Sequence, residues 1–571
     1  MDREFHIPGT GHIHRAISSF SFLEKALVSV LFTIFIVSAV WILVRVHNNI
    51  TVTIPAPGGT LSEGIVGTPR FINPLLAQTE ADKDLTILVY SGLMRAQSGG
   101  ELIKDLAESY SISDDGTEYI FSIRKDARFH DATPLTAYDV VFTVMSAQDP
   151  RIQSPKQNMW EGITVEALDE YTVRFTLSKG YAGFLGNTTL GILPQHIWGE
   201  VAAEDFHGSS YNVHPIGSGP YGVETVDINN DDSVQTYTLR SFAYNTLGAP
   251  YISRLVMRIF GNEKDLLDAY EQGKIEAFHG IDAFVTQRVL KTNDSLLPYP
   301  LPRTFGVFLN HNKKEIFTNV AVRKALSHAL DRQEILKTVL DGFGTPLYDP
   351  LPPYITNSIG SSKTHTVEEA RALLEADGWK RDAESGVYMK KDTSLSFTIK
   401  TVNSPELKLV AEFIQSQWNA LGASVSVELF DLGQLDQMII QPRDYDALLF
   451  GQALGRDADP YPFWHSSQRN APGLNIALYT NADVDATLDE LRGTLDVKER
   501  SALYTSFLDE WRSDVPAIFV YIPDFLYVLP EHIRGVTSGP VQEGAERFLD
   551  VNTWYINSQN VFSFLITGNT Y

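Results

Sequence analysis

The stretch that decides the fold is LSFTIKTVNSPELKLVAEFIQSQWNALGASVSVEL, Leu395 to Leu429. Polar and apolar residues alternate over Leu395 to Val402 and over Ser424 to Leu429, a pattern that indicates strands. Between them a helix begins after Ser404 and ends at Gly422. Its apolar residues lie on one face: Leu407, Val410, Ala411, Ile414, Trp418 and Leu421. A right-handed crossover places the two strands in parallel in one sheet, so the sequence predicts an α/β fold.

The strand DYDALLFGQ follows and ends near Gln452, and the loop GRDADPYPFWHS comes directly after it. Ligands of open α/β sheets gather beyond the carboxyl ends of strands, so we expect this loop to bind a ligand. It contains two carboxylates followed by three aromatic residues: Asp457, Asp459, Tyr461, Phe463 and Trp464. Paired carboxylates can serve hydrolysis, bind a metal or receive a ligand ammonium group. The alternative is structural, with a carboxylate capping a helix that begins near Tyr461.

Composition excludes several classes of protein. The chain has 571 residues, with 70 acidic and 46 basic side chains and a formal charge of -24, which argues against binding of nucleic acid. It has no cysteine, so disulfides, thiolate nucleophiles and lipid attachment through cysteine are absent. The length predicts two or more lobes.

The N-terminal region predicts a membrane anchor. Residues Ala26 to Val44 carry no charge and have the length that a helix needs to cross a bilayer. Basic residues are more frequent before the span than directly after it, which favours a cytoplasmic N-terminus. The predicted parts are therefore a cytoplasmic tail (1–25), a single-pass transmembrane anchor (26–44) and a tether (45–59) before an extracytoplasmic body. A cleaved signal peptide is the competing interpretation.

Two other motifs have a structural and a functional interpretation. Gly217, Gly219 and Gly222 match GxGxxG, but a strand-like run follows where a nucleotide site needs a helix, so a sharp turn is favoured. His130 and Asp131 could bind a metal or act as an acid and base pair. Their position before a Pro134 turn favours hairpin geometry instead.

Four runs together resemble the peptide and nickel class of bacterial extracellular solute-binding proteins, the receptors of ABC importers. The runs are ELIKDLAESYSISDDGTEYIFSIRKDARFHDATPLTAYDVVFTV, HPIGSGPYGV, NVAVRKALSHALDRQEILKTVLDGFGTP and DADPYPFWHSSQ. The resemblance implies a periplasmic-binding-protein-like fold of three lobes, with ligand enclosed between lobes I and III by hinge closure. The implied ranges are 60–92, 211–304 and 535–571 for lobe I, 93–210 for lobe II and 305–534 for lobe III.

The resemblance also implies a site. The backbone of Gln452, Ala453 and Leu454 matches the segment that pairs with a peptide ligand in this family. The opposing segment of lobe I matches Gln78, Thr79 and Glu80. The chain departs from the family at Arg456, where peptide-binding members commonly have an acid, and at Ala453, where they often have Trp. In the family an acidic residue near this loop binds the terminal ammonium group of the peptide, and Asp457 could take over this contact. The further expected ligand contacts are Asp459 and Trp464.

The sequence therefore predicts a membrane-anchored substrate-binding protein that passes short peptides to ABC transporter permease subunits. No catalytic residue, metal or cofactor is expected. The alternatives are a receptor for nickel or a metal chelate, which could use His465, and an anchored hydrolase with Asp457 and Asp459. A sensor or chaperone that uses the same pocket also remains open.

Overall fold

The computed structural model describes most of the chain. The described residues are 20–97, 99–228, 234–280, 285, 294–356, 366–456 and 458–562. The α-helices are α1 (Phe22–Ile50), α2 (Glu80–Val89), α3 (Ala137–Gln148), α4 (Gln157–Trp160), α5 (Phe184–Asn187), α6 (Gln195–Trp198), α7 (Glu263–Glu271), α8 (Val320–His328), α9 (Arg332–Val339), α10 (Pro353–Thr356), α11 (Val367–Ala376), α12 (Pro405–Leu421), α13 (Leu432–Gln434), α14 (Tyr461–Trp464), α15 (Ala482–Gly493) and α16 (Val497–Asp514). The strands are β1 (Thr51–Ala56), β2 (Thr60–Val66), β3 (Met94–Ala96), β4 (Leu102–Lys104), β5 (Ala107–Ile112), β6 (Glu118–Ile123), β7 (Ile163–Asp169), β8 (Thr172–Leu177), β9 (Tyr221–Ile228), β10 (Val234–Ser241), β11 (Arg254–Phe260), β12 (Ala277–His279), β13 (Ser295–Pro300), β14 (Arg303–Leu309), β15 (Gly344–Pro346), β16 (Lys380–Arg381), β17 (Tyr388–Lys390), β18 (Thr393–Ser394), β19 (Ser396–Val402), β20 (Ser424–Phe430), β21 (Ala447–Ala453), β22 (Ala517–Leu529) and β23 (Asn557–Phe562).

The strand, helix and strand predicted over Leu395 to Leu429 are β19, α12 and β20, and the predicted α/β fold is confirmed. β19 and β20 are parallel, in register from Ser396 opposite Ser424 to Val402 opposite Phe430. The Ser404 hydroxyl accepts a hydrogen bond from the Leu407 N–H at 3.2 Å and so begins α12. Gly422 ends the helix with φ 117°, a left-handed conformation that favours glycine.

Two apolar cores lie on opposite faces of the sheet formed by β14, β21 and β22. On the face covered by α12, these strands contribute Val307, Leu449 and Ile518. On the face covered by α15 and α16, they contribute Phe308, Leu448 and Phe519. The alternation follows from the two-residue period of a strand, and it explains why these strands read as continuous apolar runs.

Strand β22 connects the predicted lobes I and III. Its first half pairs with β14, for example Ile518 with Val307, and its second half pairs with β13, for example Val528 with Leu296. β13 continues into β14 through Leu301 and Pro302, so two neighbouring strands cross from one lobe to the other. The structure thus differs from the predicted ranges, because the second half of β22 joins the sheet of lobe I.

Lobe II contains a separate antiparallel sheet in the order β5, β6, β8, β7. Its inner face is aromatic, with Phe121 against Phe175 and Trp160 near the same ring. Phe184 packs on Tyr119 with ring centroids 4.5 Å apart, which joins the end of lobe II to its sheet.

The glycine motif forms a turn packed against the end of α2. A Cβ atom on Gly217 would lie 2.1 Å from the Val89 carbonyl oxygen, so this position requires glycine. His130 holds the turn, since its Nδ1 accepts from the Gly217 N–H at 3.3 Å and its Nε2 lies 3.0 Å from the Gly219 carbonyl oxygen. Burial lowers the pKa of His130 to about 4, consistent with a neutral ring that bonds through both nitrogens. These contacts fit the turn interpretation of both motifs.

Helix α1 and a short ribbon belong to a unit of their own, formed by Met1–Pro57 with Tyr555–Tyr571. Within α1, Phe22–Ile42 is long and apolar enough to cross a membrane, with a mean hydropathy of 2.2. The helix leads directly into β1, which pairs with β23 in antiparallel register from Thr51 opposite Phe562 to Ala56 opposite Asn557. The structure differs here from the predicted tether and from the assignment of 557–562 to lobe I. The tail before Phe20 lies outside the described residues.

A buried cluster of charges holds lobe I together around Arg547. The Arg547 guanidinium, which is 0% exposed, donates to the carboxylates of Glu63 on β2 and Asp84 on α2. His279 of β12 lies 2.7 Å from Asp84, and the Tyr527 hydroxyl of β22 donates to Glu63 at 2.8 Å. Arg547 is therefore bonded to segments that are distant in sequence, and removal of its charge would leave two buried carboxylates without the guanidinium that neutralises them.

We expect the substitution Arg547→Met to lower the free energy of unfolding by about 3 to 5 kcal/mol, because Glu63 and Asp84 stay buried and lose the guanidinium that both of them bind. Urea denaturation of the full-length protein in detergent measures the change. The control is Arg254→Met, since Arg254 is 53% exposed in its pair with Glu224 and should cost less than about 1 kcal/mol. Equal losses in the two variants would contradict the assigned role of the cluster.

Candidate functional site

A short 3-10 turn, Gly544–Phe548, links the core of lobe I to the loop after β21. Arg547 points into the buried cluster, while the preceding Glu546 pairs with the Arg456 guanidinium of lobe III. Their side chains are 16% exposed for Arg456 and 9% for Glu546. Burial raises the pKa of the Glu546 carboxyl, and the positive charge of Arg456 opposes that increase. The Arg456–Glu546 pair thus joins the ranges predicted for lobes I and III.

A cavity of about 180 Å³ lies beside this pair, and we call it the interlobe cavity. Lobe I contributes Lys83, Thr86 and Glu543, lobe II contributes Asp105 and Lys156, and Arg456 closes the lining from lobe III. Lys83 pairs with Glu543 at 2.8 Å, so a second ion pair lines the cavity. All three predicted lobes therefore meet at this cavity.

The outer edge of β21 is partly open. β14 pairs with one edge of β21 over its whole length, from Leu309 opposite Ala447 to Arg303 opposite Ala453. On the other edge β19 pairs only with Ala447 and Leu448. Among the described residues no strand covers this edge from Phe450 to Ala453, so its backbone groups can pair with an extended ligand.

Gln452 adds a buried amide to this strand end. Its side chain is 3% exposed, yet neither its Oε1 nor its Nε2 has a hydrogen-bond partner among the described residues. Thr304, directly opposite on β14, is 0% exposed and its hydroxyl also lacks a partner there. Buried polar groups are normally satisfied, so this pair indicates a place for a ligand or a bound water.

The other two predicted backbone contacts lie on the same strand end. Ala453 is exposed on the open part of β21. The Leu454 side chain is buried, and its N–H donates to the Pro302 carbonyl at 2.9 Å, so this backbone donor is already used.

The opposing segment of lobe I begins helix α2. Gln78, Thr79 and Glu80 are exposed, and the neighbouring Ala77 lines the interlobe cavity. The Thr79 hydroxyl accepts from the Asp82 N–H at 3.1 Å and caps the helix, which leaves Gln78 and Glu80 as the polar side chains available to a ligand.

Of the two acidic residues in the loop, Asp459 has structural contacts and Asp457 lies outside the described residues. Asp459 accepts from the Tyr461 N–H at 2.9 Å through Oδ1 and from Arg492 at 2.6 Å and 2.8 Å through Oδ2. Asp459 thus binds the first N–H of α14 and forms an ion pair with Arg492, so its position does not support the expected ligand contact. The hydrolase interpretation needs both carboxylates and gains no support from Asp459.

Trp464, an expected ligand contact, lies in the core of lobe III. Its ring is 0% exposed and packs against Trp511, Phe519 and Tyr479 with centroids 5.6 to 6.4 Å apart. This burial places the ring away from solvent, so we leave Trp464 out of the site.

Neither candidate for a metal site has free ligand atoms in a suitable arrangement. His465 stacks on Tyr461 with centroids 4.2 Å apart and bonds to the Ser467 hydroxyl through Nδ1 at 2.7 Å, and it does not line the interlobe cavity. Among the described residues, the group with metal-ligand spacing is Glu63, Asp84 and His279. The Arg547 guanidinium already supplies the positive charge there.

The sequence did not reveal Glu546, Lys83, Lys156 or Thr304 as site residues. Each is an ordinary polar residue within a helix, strand or turn, and none belongs to a recognisable motif. One indication of Glu546 was present in the sequence: Arg456 stands where family members commonly have an acid. A cation at this position of a binding loop requires an anionic partner.

Comparisons with known proteins agree on one family. The profile described as "Bacterial extracellular solute-binding proteins, family 5 Middle" matches residues 101–474. The oligopeptide-binding protein AppA of Bacillus subtilis is 28% identical over 520 residues, covering 88% of this chain and 92% of AppA. Its solved structure in complex with a nonapeptide matches at a TM-score of 0.65, with 88% of this chain and 100% of that chain covered at 28% identity. NikZ from Campylobacter jejuni in complex with Ni(L-His) matches at a TM-score of 0.66 and 26% identity, covering 87% and 99%.

We expect Arg456 and Glu546 to be energetically coupled. In a double-mutant cycle with Arg456→Ala and Glu546→Ala, the coupling in the free energy of unfolding should be about 1 to 3 kcal/mol, since both side chains are largely buried. Denaturant titration of the four full-length proteins measures it.

The matched control is the pair Glu334 and Lys337, which are 49% and 79% exposed and should couple by less than about 0.5 kcal/mol. A coupling at Arg456 and Glu546 no larger than this control would show that the pair does not hold lobes I and III together.

Proposed function

This chain belongs to the bacterial extracellular solute-binding proteins of family 5, and on that premise we propose that it captures short peptides and delivers them to the permease subunits of an ABC importer. The observation that carries the proposal is the open edge of β21 from Phe450 to Ala453, which is followed after three residues by Arg456 in the lining of the interlobe cavity. An extended peptide added there gains backbone hydrogen bonds that do not depend on its side chains.

Three features support binding rather than chemistry. The open strand edge offers backbone donors and acceptors, the Gln452 amide offers one of each from a side chain, and β22 provides a crossing between the lobes. A peptide group carries one N–H and one C=O, which matches a primary amide in both respects. The mechanism is enclosure of a peptide between lobes I and III and its later release to a permease.

This chain lacks the usual acidic residue that would bind the terminal ammonium group of a peptide. Arg456 stands where an acid is common, and it is already neutralised by Glu546. Two partly exposed acidic side chains lie close to Lys83: Glu80 is 45% exposed and Glu543, which lines the cavity, is 35% exposed. Asp457 is a further candidate from the sequence. We propose that backbone pairing, rather than one ammonium contact, supplies most of the affinity.

Helix α1 serves as the anchor in this proposal. Its apolar part, Phe22–Ile42, is of spanning length, and the basic residues before it favour a cytoplasmic N-terminus. The body of the chain then lies outside the membrane and remains attached near the permease. The absence of cysteine supports attachment by a helix instead of a lipid.

Binding of a short-peptide library tests the proposal, and it is measured on the full-length protein and on its Gln452→Leu variant. We expect some peptides of two to nine residues to raise the melting temperature, because ligand binding stabilises the folded state. Gln452→Leu should weaken their binding about ten-fold, since it removes an amide that can donate and accept. It should leave the free energy of unfolding unchanged or higher, because a buried amide without a protein partner becomes apolar.

The control is Gln415→Leu on α12. Gln415 donates to the Val425 carbonyl at 2.8 Å, so this variant should lose stability and keep peptide affinity. A library without any stabilising peptide would refute peptide binding. Unchanged affinity in Gln452→Leu would remove Gln452 from the site.

A further inference from the structure

Among the described residues, the charges that line the interlobe cavity leave one cation without an ionic partner. These residues supply four basic and three acidic side chains to the lining: Lys83, Arg95, Lys156, Arg456, Asp105, Glu543 and Glu546. Lys83 pairs with Glu543 at 2.8 Å, Arg95 with Asp105 at 3.8 Å, and Arg456 with Glu546. Lys156 forms no ion pair with any of the described residues. The described part of the lining thus carries one net positive charge, in a protein whose formal charge is -24.

The wall of the cavity is built for a partly polar group. Asp105 is 1% exposed, and its Oδ2 has no hydrogen-bond partner in the described part of the chain. Burial raises the pKa of this carboxyl, and Arg95 opposes the increase. The Thr86 hydroxyl, buried in the same lining, also lacks a partner there. No described residue satisfies these two groups, so the Thr86 hydroxyl can donate to a ligand oxygen and Asp105 Oδ2 can accept from a ligand N–H.

Apolar side chains form the rest of the wall. Met94 of lobe II and Leu549 of lobe I are buried, and Met159 lies exposed beside Lys156. Methionine side chains adapt to ligands of different shapes. The volume of about 180 Å³ is below the roughly 300 to 1,000 Å³ of sites for whole drug-sized ligands. The cavity therefore suits one or two residues of a longer ligand.

We propose that the interlobe cavity is a subsite for a carboxylate of the bound peptide, and that Lys156 is the residue that receives it. The proposal rests on the proposed function and deepens it, since it makes peptides with an acidic group in this cavity the preferred substrates. The carboxylate belongs either to an acidic side chain or to the peptide's C-terminus, and both would place an aliphatic stem against Met94 and Leu549. A charge-assisted hydrogen bond in a partly buried site is stronger than a neutral one, so a peptide with a carboxylate in the cavity should bind more tightly than its neutral counterpart.

Binding of matched alanine peptides to the full-length protein tests this assignment. The peptides have three, five or nine residues, carry a single Glu or a single Gln at each position in turn, and are made with a free or an amidated C-terminus. Isothermal titration calorimetry measures each dissociation constant. We expect at least one charged peptide to bind about ten-fold or more tightly than its neutral counterpart. A difference between Glu and Gln assigns the side chain, and a difference between acid and amide assigns the C-terminus.

The variant Lys156→Met should reduce this preference to less than about two-fold while the neutral peptides keep their affinity, because the methionine retains the apolar stem and loses the charge. The control is Lys337→Met. Lys337 is 79% exposed and pairs with Glu334, so this variant should keep the whole preference for charged peptides. Peptides that bind without any preference for a carboxylate, or a preference that survives in Lys156→Met, would overturn the subsite and leave peptide binding intact. Failure of every peptide to bind would overturn the proposed function itself.

Discussion

The buried bonds of Arg547 to Glu63 and Asp84 are the constraint on which the rest of the structure depends. A guanidinium and two carboxylates with almost no exposure are stable only when they satisfy one another. Their geometry fixes the Gly544–Phe548 turn against β2 and α2. Because Glu546 immediately precedes Arg547, the same turn also fixes the carboxylate that meets Arg456. The core of lobe I and one wall of the cleft are therefore positioned by one short segment.

Two neighbouring strand segments connect the ranges predicted for lobes I and III. β22 pairs with β13 and β14, and β13 continues into β14, so the hinge closure that we propose would bend these strands. The Arg456–Glu546 pair joins the same two ranges. In the proposed complex, a peptide on the open edge of β21 gains backbone bonds from lobe III, and side chains of α2 and of the Gly544–Phe548 turn line the interlobe cavity. Affinity for the closed state then depends on contacts from both lobes.

The sequence predicts the local elements well and the site only in part. The strand, helix and strand from Leu395 to Leu429 follow from periodicity, Ser404 and Gly422, all of which act over a few residues. The charge cluster could not be predicted, because Arg547 and Glu63 are 484 residues apart and no pattern marks them as partners. Asp459 and Trp464 look like ligand residues in a binding loop, but tertiary contacts place one in an ion pair and the other in a core. Gln452 is predicted for its backbone alone, and its unsatisfied amide becomes visible once β14 and β21 are paired.

We propose that a bound peptide adds as a strand to the outer edge of β21. Hydrogen exchange of the full-length protein, measured by mass spectrometry with and without a peptide that stabilises it, tests this pairing. We expect slower exchange in fragments that contain Phe450 to Ala453 when peptide is bound, and unchanged exchange in β7 and β8. Tight binding with no protection over Phe450 to Ala453 would contradict it.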